Sequence, residues 1–226
     1  MASASTVVSM LLADQRFPAG TYAHSLGLEQ AVAEGLALDG VDAFIAARLE
    51  LIARPEAGLT VAARRAARAA SGPARLAELD LEHAARCPSP VLRESTRRLG
   101  AQLLRSAAAA WQAGPIAGYR SASRATPRPV ALGVVAAAAG LGDAEVAAVA
   151  LYDDAATVAS AALKLLGLDP AQTSRWLVEL APAIAAAAEE VAADRRPLAR
   201  QPAPAAVGLE LAATRHHARG ERLFVT

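Results

Sequence analysis

The residues that could carry metal or acid–base chemistry are few: His24, His83, His216, His217, Asp153, Asp154 and Cys87. A stable metal site needs three or four converging ligands, and adjacent residues point in different directions on a helix, so His216–His217 is a weak chelate. For the same reason Asp153 and Asp154 are a poor acid–base pair, and we expect one to be exposed and the other capped or paired. His83 lies inside a helical pattern and is expected to be structural, and Cys87 has no activating base nearby in sequence. We therefore assign no catalytic, cofactor-binding or metal-binding set.

Other signatures point away from nucleotide, nucleic-acid and membrane binding. The sequence has no GxxxxGK[ST], HExxH or CxxC motif. Its 23 basic and 22 acidic residues give a net charge of +1, without the basic excess typical of nucleic-acid binding. The longest uncharged runs, 106–119 and 129–142, are shorter than the ~20 residues that span a bilayer. One cysteine and no basic leader favour a cytoplasmic protein.

Two stretches instead combine unusual residues with turn or terminal positions. Residues 17–29 join a Pro-Ala-Gly turn, two aromatic side chains and a histidine immediately before a helix. Residues 215–224 place arginines beside a small apolar end, which is typical of a segment that docks on a partner. The plainer interpretations are a packed helix start and a frayed terminus.

The elements that must position these stretches are helices. Of 226 residues, 54% are hydrophobic, only 4% are aromatic and 62 are alanine, the strongest helix former. We predict an all-α, alanine-rich, single-domain bundle of about eight to ten helices over 1–206, with a docking tail over 207–226. The predicted helices are 3–13, 25–34, 41–53 capped by Asp39, 55–70, 74–86, 91–112, 129–140, 143–166 capped by Asp143, and a last long helix opened by Asp169–Pro170 and kinked at Pro182. The segment 113–129, with Arg120, Arg124 and Arg128, is predicted to be an exposed basic loop.

Several motifs are shared with one protein family. They are Pro18-x-Gly20-x-Tyr22-x-His24-Ser25-x-Gly27-Leu28-Glu29, Arg93-Glu94-Ser95 with Gly100, Pro129-Val130 with Gly133 and Gly140-Leu141, and a terminal His216 with Arg222-Leu223-Phe224. In this order and spacing the sequence resembles the UreF-type urease accessory proteins over nearly its whole length. It departs from the family pattern at Ala162, Leu165 and Leu168, and His217 stands where the family has a glutamate.

The resemblance implies an all-α homodimeric scaffold without catalytic activity. Such a scaffold joins UreD (UreH in some species) and the GTPase UreG on apo-urease and couples GTP hydrolysis to nickel insertion. The residues it assigns to partner binding are Pro18, Gly20, Tyr22, His24, Ser25, Glu29, His216, Arg222, Leu223 and Phe224. The tail is expected to become ordered on UreD, burying Leu223 and Phe224 and pairing Arg222.

Three alternatives remain open at this stage. The protein could hold nickel itself through His24, His216 and His217. It could be an enzyme that uses Asp153, Asp154 or His24, which a deep pocket with shifted acidities around them would favour. It could also be a helical adaptor unrelated to urease.

Overall fold

A computed structural model describes residues 4–14, 16–69, 72–111, 114–123 and 126–225. Every regular element in these ranges is helical, which confirms the all-α prediction. The α-helices are α1 (Ala4–Ala13), α2 (Leu28–Ala33), α3 (Val41–Arg48), α4 (Arg54–Ala67), α5 (Gly72–Arg86), α6 (Pro90–Ala110), α7 (Gly114–Ala122), α8 (Arg128–Ala138), α9 (Asp143–Leu166), α10 (Pro170–Ala193) and α11 (Val207–Ala218). A π-helical turn, Leu49–Ala53, joins α3 to α4, so the two helices predicted at 41–53 and 55–70 form one continuous run. The predictions at Ser3, Ala70, Gln112 and Arg124 lie outside the described residues.

The core forms where α8 packs between α4, α6 and α9. Eight consecutive residues of α8, Pro129 to Ala136, are buried. Gly133 permits this depth, because a Cβ there would overlap the Thr60 carbonyl oxygen and lie 2.7 Å from the Ala63 Cβ. Gly100 has the same role on α6, where a Cβ would overlap the Thr126 carbonyl oxygen. Gly133 therefore marks a close contact between two helices, and Gly100 marks a close contact between α6 and the backbone just before α8.

Helix α9 is a core helix despite its apolar character. Its 24 residues are long and apolar enough to cross a membrane by length and composition, but 67% of the apolar window is buried inside the protein. Alanines on α9 let it lie close to α10, α4 and α1. Buried ion pairs at Asp153 and Asp154 also tie α9 to neighbouring helices. These contacts are those expected of an interior helix.

Two predicted N-caps and one predicted helix start differ from the structure. Gly40, not Asp39, is the N-cap of α3. At α9, the Glu145 carboxylate accepts a 2.7 Å hydrogen bond from the Gly142 N–H, while Asp143 instead pairs with two arginines of α4. Helix α2 begins at Leu28 rather than at residue 25, because Gly27 has a φ of 92°. By contrast, Asp169 does cap α10, accepting a 2.9 Å hydrogen bond from the Ala171 N–H.

The prediction of an exposed basic loop over residues 113–129 is wrong for most of that segment. Residues Gly114–Ala122 form α7, with Ile116 and Tyr119 buried one turn apart. The Tyr119 hydroxyl donates a 2.5 Å hydrogen bond to Asp80 on α5. Arg128 is not free for a partner either, because it pairs with buried Asp153. The prolines and glycines of the segment favoured a loop in the sequence-based prediction, whereas the structure has a short helix with one buried face.

The last part of the chain returns to the bundle. After α10, residues 195–206 contain one 3₁₀ turn, Leu198–Arg200, and reach α11, which lies against α2 and α6. The tail predicted at 207–226 thus contains a helix and a short end segment, 219–225. Phe224 at its end is only 5% exposed, although no partner chain is present.

Candidate functional site

The N-terminal motif is held in a tight turn against α6. The Pro18 carbonyl oxygen accepts hydrogen bonds from Gln102 Nε2 at 3.3 Å and Ser106 Oγ at 2.7 Å. Gly20 has a φ of 87°, a left-handed conformation that glycine adopts without strain. Pro18 stays exposed while Gly20 is buried. The turn is therefore a fixed feature of the bundle surface.

Glu29 joins this motif to the tail. Its carboxylate lies 2.8 Å from His216 Nε2 and accepts hydrogen bonds from the Leu223 N–H at 2.7 Å and the Phe224 N–H at 3.0 Å. Ser25 Oγ in turn accepts a 3.3 Å hydrogen bond from the Glu29 N–H. Burial acts to raise the Glu29 pKa, but the bonds from Leu223, His216 and Phe224 outweigh it and leave the pKa lowered. Glu29 is thus an ionised anchor for the chain's end.

Other contacts fasten the tail on both sides of this anchor. Lys164 Nζ lies 5.3 Å from the centre of the Phe224 ring and donates a 3.3 Å hydrogen bond to the Tyr22 carbonyl oxygen. The Val225 N–H donates to the Ala23 carbonyl oxygen at 2.9 Å. An exposed ion pair between Arg215 and Glu34, at 2.6 Å, joins α11 to the end of α2.

Several side chains stay exposed where the two ends join. Tyr22 is 59% exposed, Leu223 is 64% exposed, and Arg222 is exposed between the buried anchors His216 and Phe224. We call Tyr22, Arg222, Leu223 and the 46% exposed Val225 the tail surface. The sequence motifs predicted Tyr22, Arg222 and Leu223 as partner-binding residues. They did not predict that chain segments about 200 positions apart lie next to each other here.

A cavity of about 180 Å³, lined by apolar side chains and several charged ones, lies beneath the tail. Both adjacent aspartates of α9 face it, and both are buried, so the expectation that one would be exposed is wrong. Asp154 accepts two hydrogen bonds from Arg48, at 3.1 and 2.6 Å, while Asp153 accepts one from Arg128 at 2.7 Å. Arg48 also donates a 2.9 Å hydrogen bond to the carbonyl oxygen of Leu26, in the N-terminal motif. Each aspartate therefore has an arginine partner, although burial still raises the pKa of Asp153 against the opposing effect of Arg128.

Four more titratable groups around the cavity, His24, His83, Cys87 and Glu56, are shifted towards their neutral forms. Burial lowers the pKa of His24 and of His83 to about 4, with smaller effects from Arg128 and Arg97 respectively. Burial and nearby carboxylates raise the Cys87 pKa to about 11, which leaves the thiol protonated and unreactive. Burial also raises the Glu56 pKa, to about 7. His83 is buried as expected of a structural histidine.

Comparison with known proteins identifies the family. The UreF family model matches residues 38–181. A urease accessory protein UreF from Mycobacterium sp. (strain JLS) is 36% identical over 98% of this chain and 99% of its own length. Urease accessory protein UreF from Mycobacterium marinum is 34% identical over 83% of this chain and 86% of its own, and that from Mycobacterium tuberculosis (strain CDC 1551 / Oshkosh) is 32% identical over 98% and 99%.

The chain belongs to the UreF family. UreF proteins are urease accessory proteins rather than enzymes, which agrees with the prediction of a non-catalytic protein. The cavity around Asp153, Asp154 and His24 meets the pocket criterion set for an enzyme, but the family assignment argues against that alternative. The adaptor unrelated to urease is excluded by the same match.

The segment where this UreF departs from the family pattern takes part in the site. Ala162 is fully buried, and Leu165 and Leu168 are half-buried against the core. Lys164, between them, makes the contact with Phe224 described above. His217 is exposed on α11. Lys164 was missed as a site residue, although its being the single lysine was a signal.

The three histidines of the nickel-binding alternative lie in different environments. His24 and His216 are buried, and His216 is already paired with Glu29, whereas His217 faces outward. Across the described part of the chain, no three His, Cys, Asp or Glu side chains are grouped so that they could hold a metal ion.

Proposed function

We propose that this chain is a scaffold that joins UreD (UreH) and the GTPase UreG on apo-urease and couples GTP hydrolysis to nickel insertion. It acts in the cytoplasm as a homodimer. One observation carries the proposal: the N-terminal and C-terminal motifs of the family meet through Glu29, and each keeps an exposed side chain there, Tyr22 in one and Leu223 in the other. Residues serving only stability would not require Tyr22 and Leu223 to stay exposed.

The partner-binding residues divide into two roles in this proposal. Tyr22, Arg222, Leu223 and Pro18 contact a partner directly because they are exposed. Gly20, Ser25, Glu29, His216 and Phe224 are buried or nearly so and fix the shape of that surface. His24 is also buried and lines the cavity. Ordering of the tail against UreD then means repositioning of a segment that is already packed on the bundle.

Exposed apolar residues at the centre of such a surface supply most of the binding energy. Burying a leucine side chain contributes about 1.5–3 kcal/mol, so loss of Leu223 alone weakens a complex measurably. Deleting residues 223–226 would also remove the buried Phe224 and loosen the bundle. Point substitution at Leu223 separates the two effects.

The direct test is co-expression of urease subunits, UreD and UreG with or without this chain. We expect nickel content and urease activity to rise only when the chain is present. Equal nickel loading and activity in its absence would contradict the proposed function. Inclusion of the Tyr22→Ala/Leu223→Ala variant tests whether the tail surface carries that activity.

A further inference from the structure

Helix α6 carries an excess of positive charge on its solvent side. It contains four arginines and one acidic residue, Glu94, so its net charge is +3, whereas the whole chain has a net charge of only +1. The buried residues of α6 are apolar side chains and one glycine. Three of the arginines, Arg97, Arg98 and Arg105, are exposed, and we call them the arginine face. The fourth, Arg93, is half-buried and donates its hydrogen bonds to backbone carbonyl oxygens.

The charges of the arginine face are incompletely neutralised by the rest of the molecule. Within the described residues, the Arg105 side chain makes no hydrogen bond or ion pair. Arg97 makes no ion pair there either; it acts at a distance on Asp80, a buried carboxyl group that already accepts two side-chain hydrogen bonds. Arg98 pairs with Glu94 at 2.8 Å, but its side chain is 72% exposed. An exposed pair of this kind is weak, so Arg98 can exchange Glu94 for another carboxylate at little cost.

The arginine face lies beside the turn of the N-terminal motif. Gln102, whose side chain donates to the Pro18 carbonyl oxygen, comes four residues after Arg98 and three residues before Arg105. Residues three and four apart are neighbours on a helix surface, so the two arginines flank the residue that holds the turn. Pro18 is exposed and stands four positions before Tyr22, so at most about 14 Å separate their Cα atoms. The turn therefore connects the arginine face to the tail surface.

The tail surface alone is too small for a stable protein interface. Such an interface covers about 800 Å² and roughly 20–30 residues on each partner, whereas the tail surface consists of four side chains. A partner that covers the tail surface must therefore also cover its surroundings. The exposed Pro18 turn is the next part of the N-terminal motif, and the arginine face follows directly behind it on α6.

We propose that the arginine face is a second contact for the partner that docks on the tail surface, and that it binds a region of that partner rich in Asp and Glu side chains. The inference rests on the proposed function, in which this partner is UreD. A guanidinium group can bind a carboxylate through two parallel hydrogen bonds. Exposed charges around an interface mainly accelerate association and select a partner of opposite charge. The tail surface then supplies the apolar contact, and the arginine face steers the partner towards it.

Other anionic ligands fit the arginine face less well. Nucleic-acid-binding domains are usually strongly basic, with a pI above about 9, whereas this chain has a pI of about 8.0. A helix that lies on an anionic membrane has an apolar face beside its cationic one. Helix α6, which the structure describes from end to end, exposes no large apolar side chain. A folded protein with clustered carboxylates matches the charge of the arginine face and needs no apolar contact on α6.

The association rate of purified UreD with the full chain tests the proposal. We expect Arg98→Gln/Arg105→Gln to associate about fivefold more slowly than the wild type at low salt. The difference should disappear in about 1 M salt, where the screening length falls to about 3 Å. Arg98→Lys/Arg105→Lys keeps both charges and should retain most of the wild-type rate. A wild-type rate in the glutamine variant, or a lysine variant as slow as the glutamine one, would overturn the proposal.

The matched control is Arg68→Gln/Arg175→Gln, which removes two exposed arginines from α10 and from the end of α4. It lowers the net charge equally and should leave the rate unchanged, so equal slowing in the control would overturn the proposal. A changed oligomeric state of the glutamine variant would assign the arginine face to a second copy and would also overturn it. Absence of UreD binding to the wild type would contradict the scaffold function and this inference together. Normal wild-type binding with an unslowed glutamine variant would contradict this inference alone.

Discussion

His216 Nε2 on α11 lies 2.8 Å from Glu29 Oε2 on α2, although 187 positions separate the two residues in the sequence. The same carboxylate accepts two backbone N–H groups of the chain's end. A buried carboxylate with three donors is a strong local constraint, because charge-assisted hydrogen bonds are about twice as strong as neutral ones. One side chain therefore fixes how the two family motifs meet.

Replacing Glu29 should detach the tail and lower stability. Glu29→Ala leaves His216, the buried Phe224 N–H and the partly buried Leu223 N–H without their acceptor, and we expect a loss of about 3 kcal/mol in the free energy of unfolding. Urea unfolding measures the change. Glu34→Ala removes the exposed pair with Arg215 and should cost less than about 1 kcal/mol. Equal losses in the two variants would show that Glu29 is not the anchor.

Removing Arg48 should strongly destabilise the bundle. Arg48→Met leaves Asp154 buried without its ion partner, which costs about 3–5 kcal/mol. The double variant Arg48→Met/Asp154→Leu should regain most of that loss, since no uncompensated charge remains. Thermal and urea unfolding of the three proteins provide the comparison. A double variant as unstable as the single one would refute this account of the pair.

Alanine substitution should lower the free energy of unfolding at Gly133 but not at Gly118. Gly133→Ala forces α8 away from α4, and we expect a loss of about 2–3 kcal/mol. A Cβ at Gly118 on α7 has no heavy atom within 4 Å, so Gly118→Ala should be neutral or stabilise by up to about 1 kcal/mol. Unfolding midpoints measure both. A harmless Gly133→Ala would mean that the helices are not in close contact.

Acid should weaken the folded state through His24 and His83. Burial holds both pKa values at about 4, below the ordinary 6.5, so the unfolded chain takes up protons that the folded chain does not. The stability that these neutral imidazoles provide is complete above pH 6.5 and is lost as the pH falls from 6.5 to 4. His83→Asn should flatten stability against pH in that range, whereas exposed His217→Asn should not. Identical profiles for wild type and His83→Asn would exclude His83 as a source.

The sequence predicted the helical class and most helix positions, because alanine content, apolar spacing and proline positions act locally. It did not predict α7, since its prolines and glycines suggest a loop while burial of Ile116 and Tyr119 requires the folded bundle. The ion pairs of Asp143, Asp153 and Asp154 were also not predicted, because their arginine partners are distant in sequence. Helix-cap rules cannot foresee such partners.

In the candidate site too, the sequence predicted individual residues but not the contacts between them. The motifs identified Glu29, His216 and Phe224 as important residues, but their mutual contacts come from tertiary structure. Lys164 belongs to no motif and was marked only by being the single lysine, because it acts through neighbours that only the fold supplies.

Binding of purified UreD to tail-surface variants tests the scaffold proposal most directly. Tyr22→Ala/Leu223→Ala removes exposed side chains only, so its free energy of unfolding should match the wild type. Leu81→Ala, a 73% exposed position on α5, is the matched control. We predict at least tenfold weaker binding by the tail-surface variant and unchanged binding by Leu81→Ala. Wild-type affinity in the stably folded tail-surface variant would contradict the claim that the joined chain ends form the docking surface.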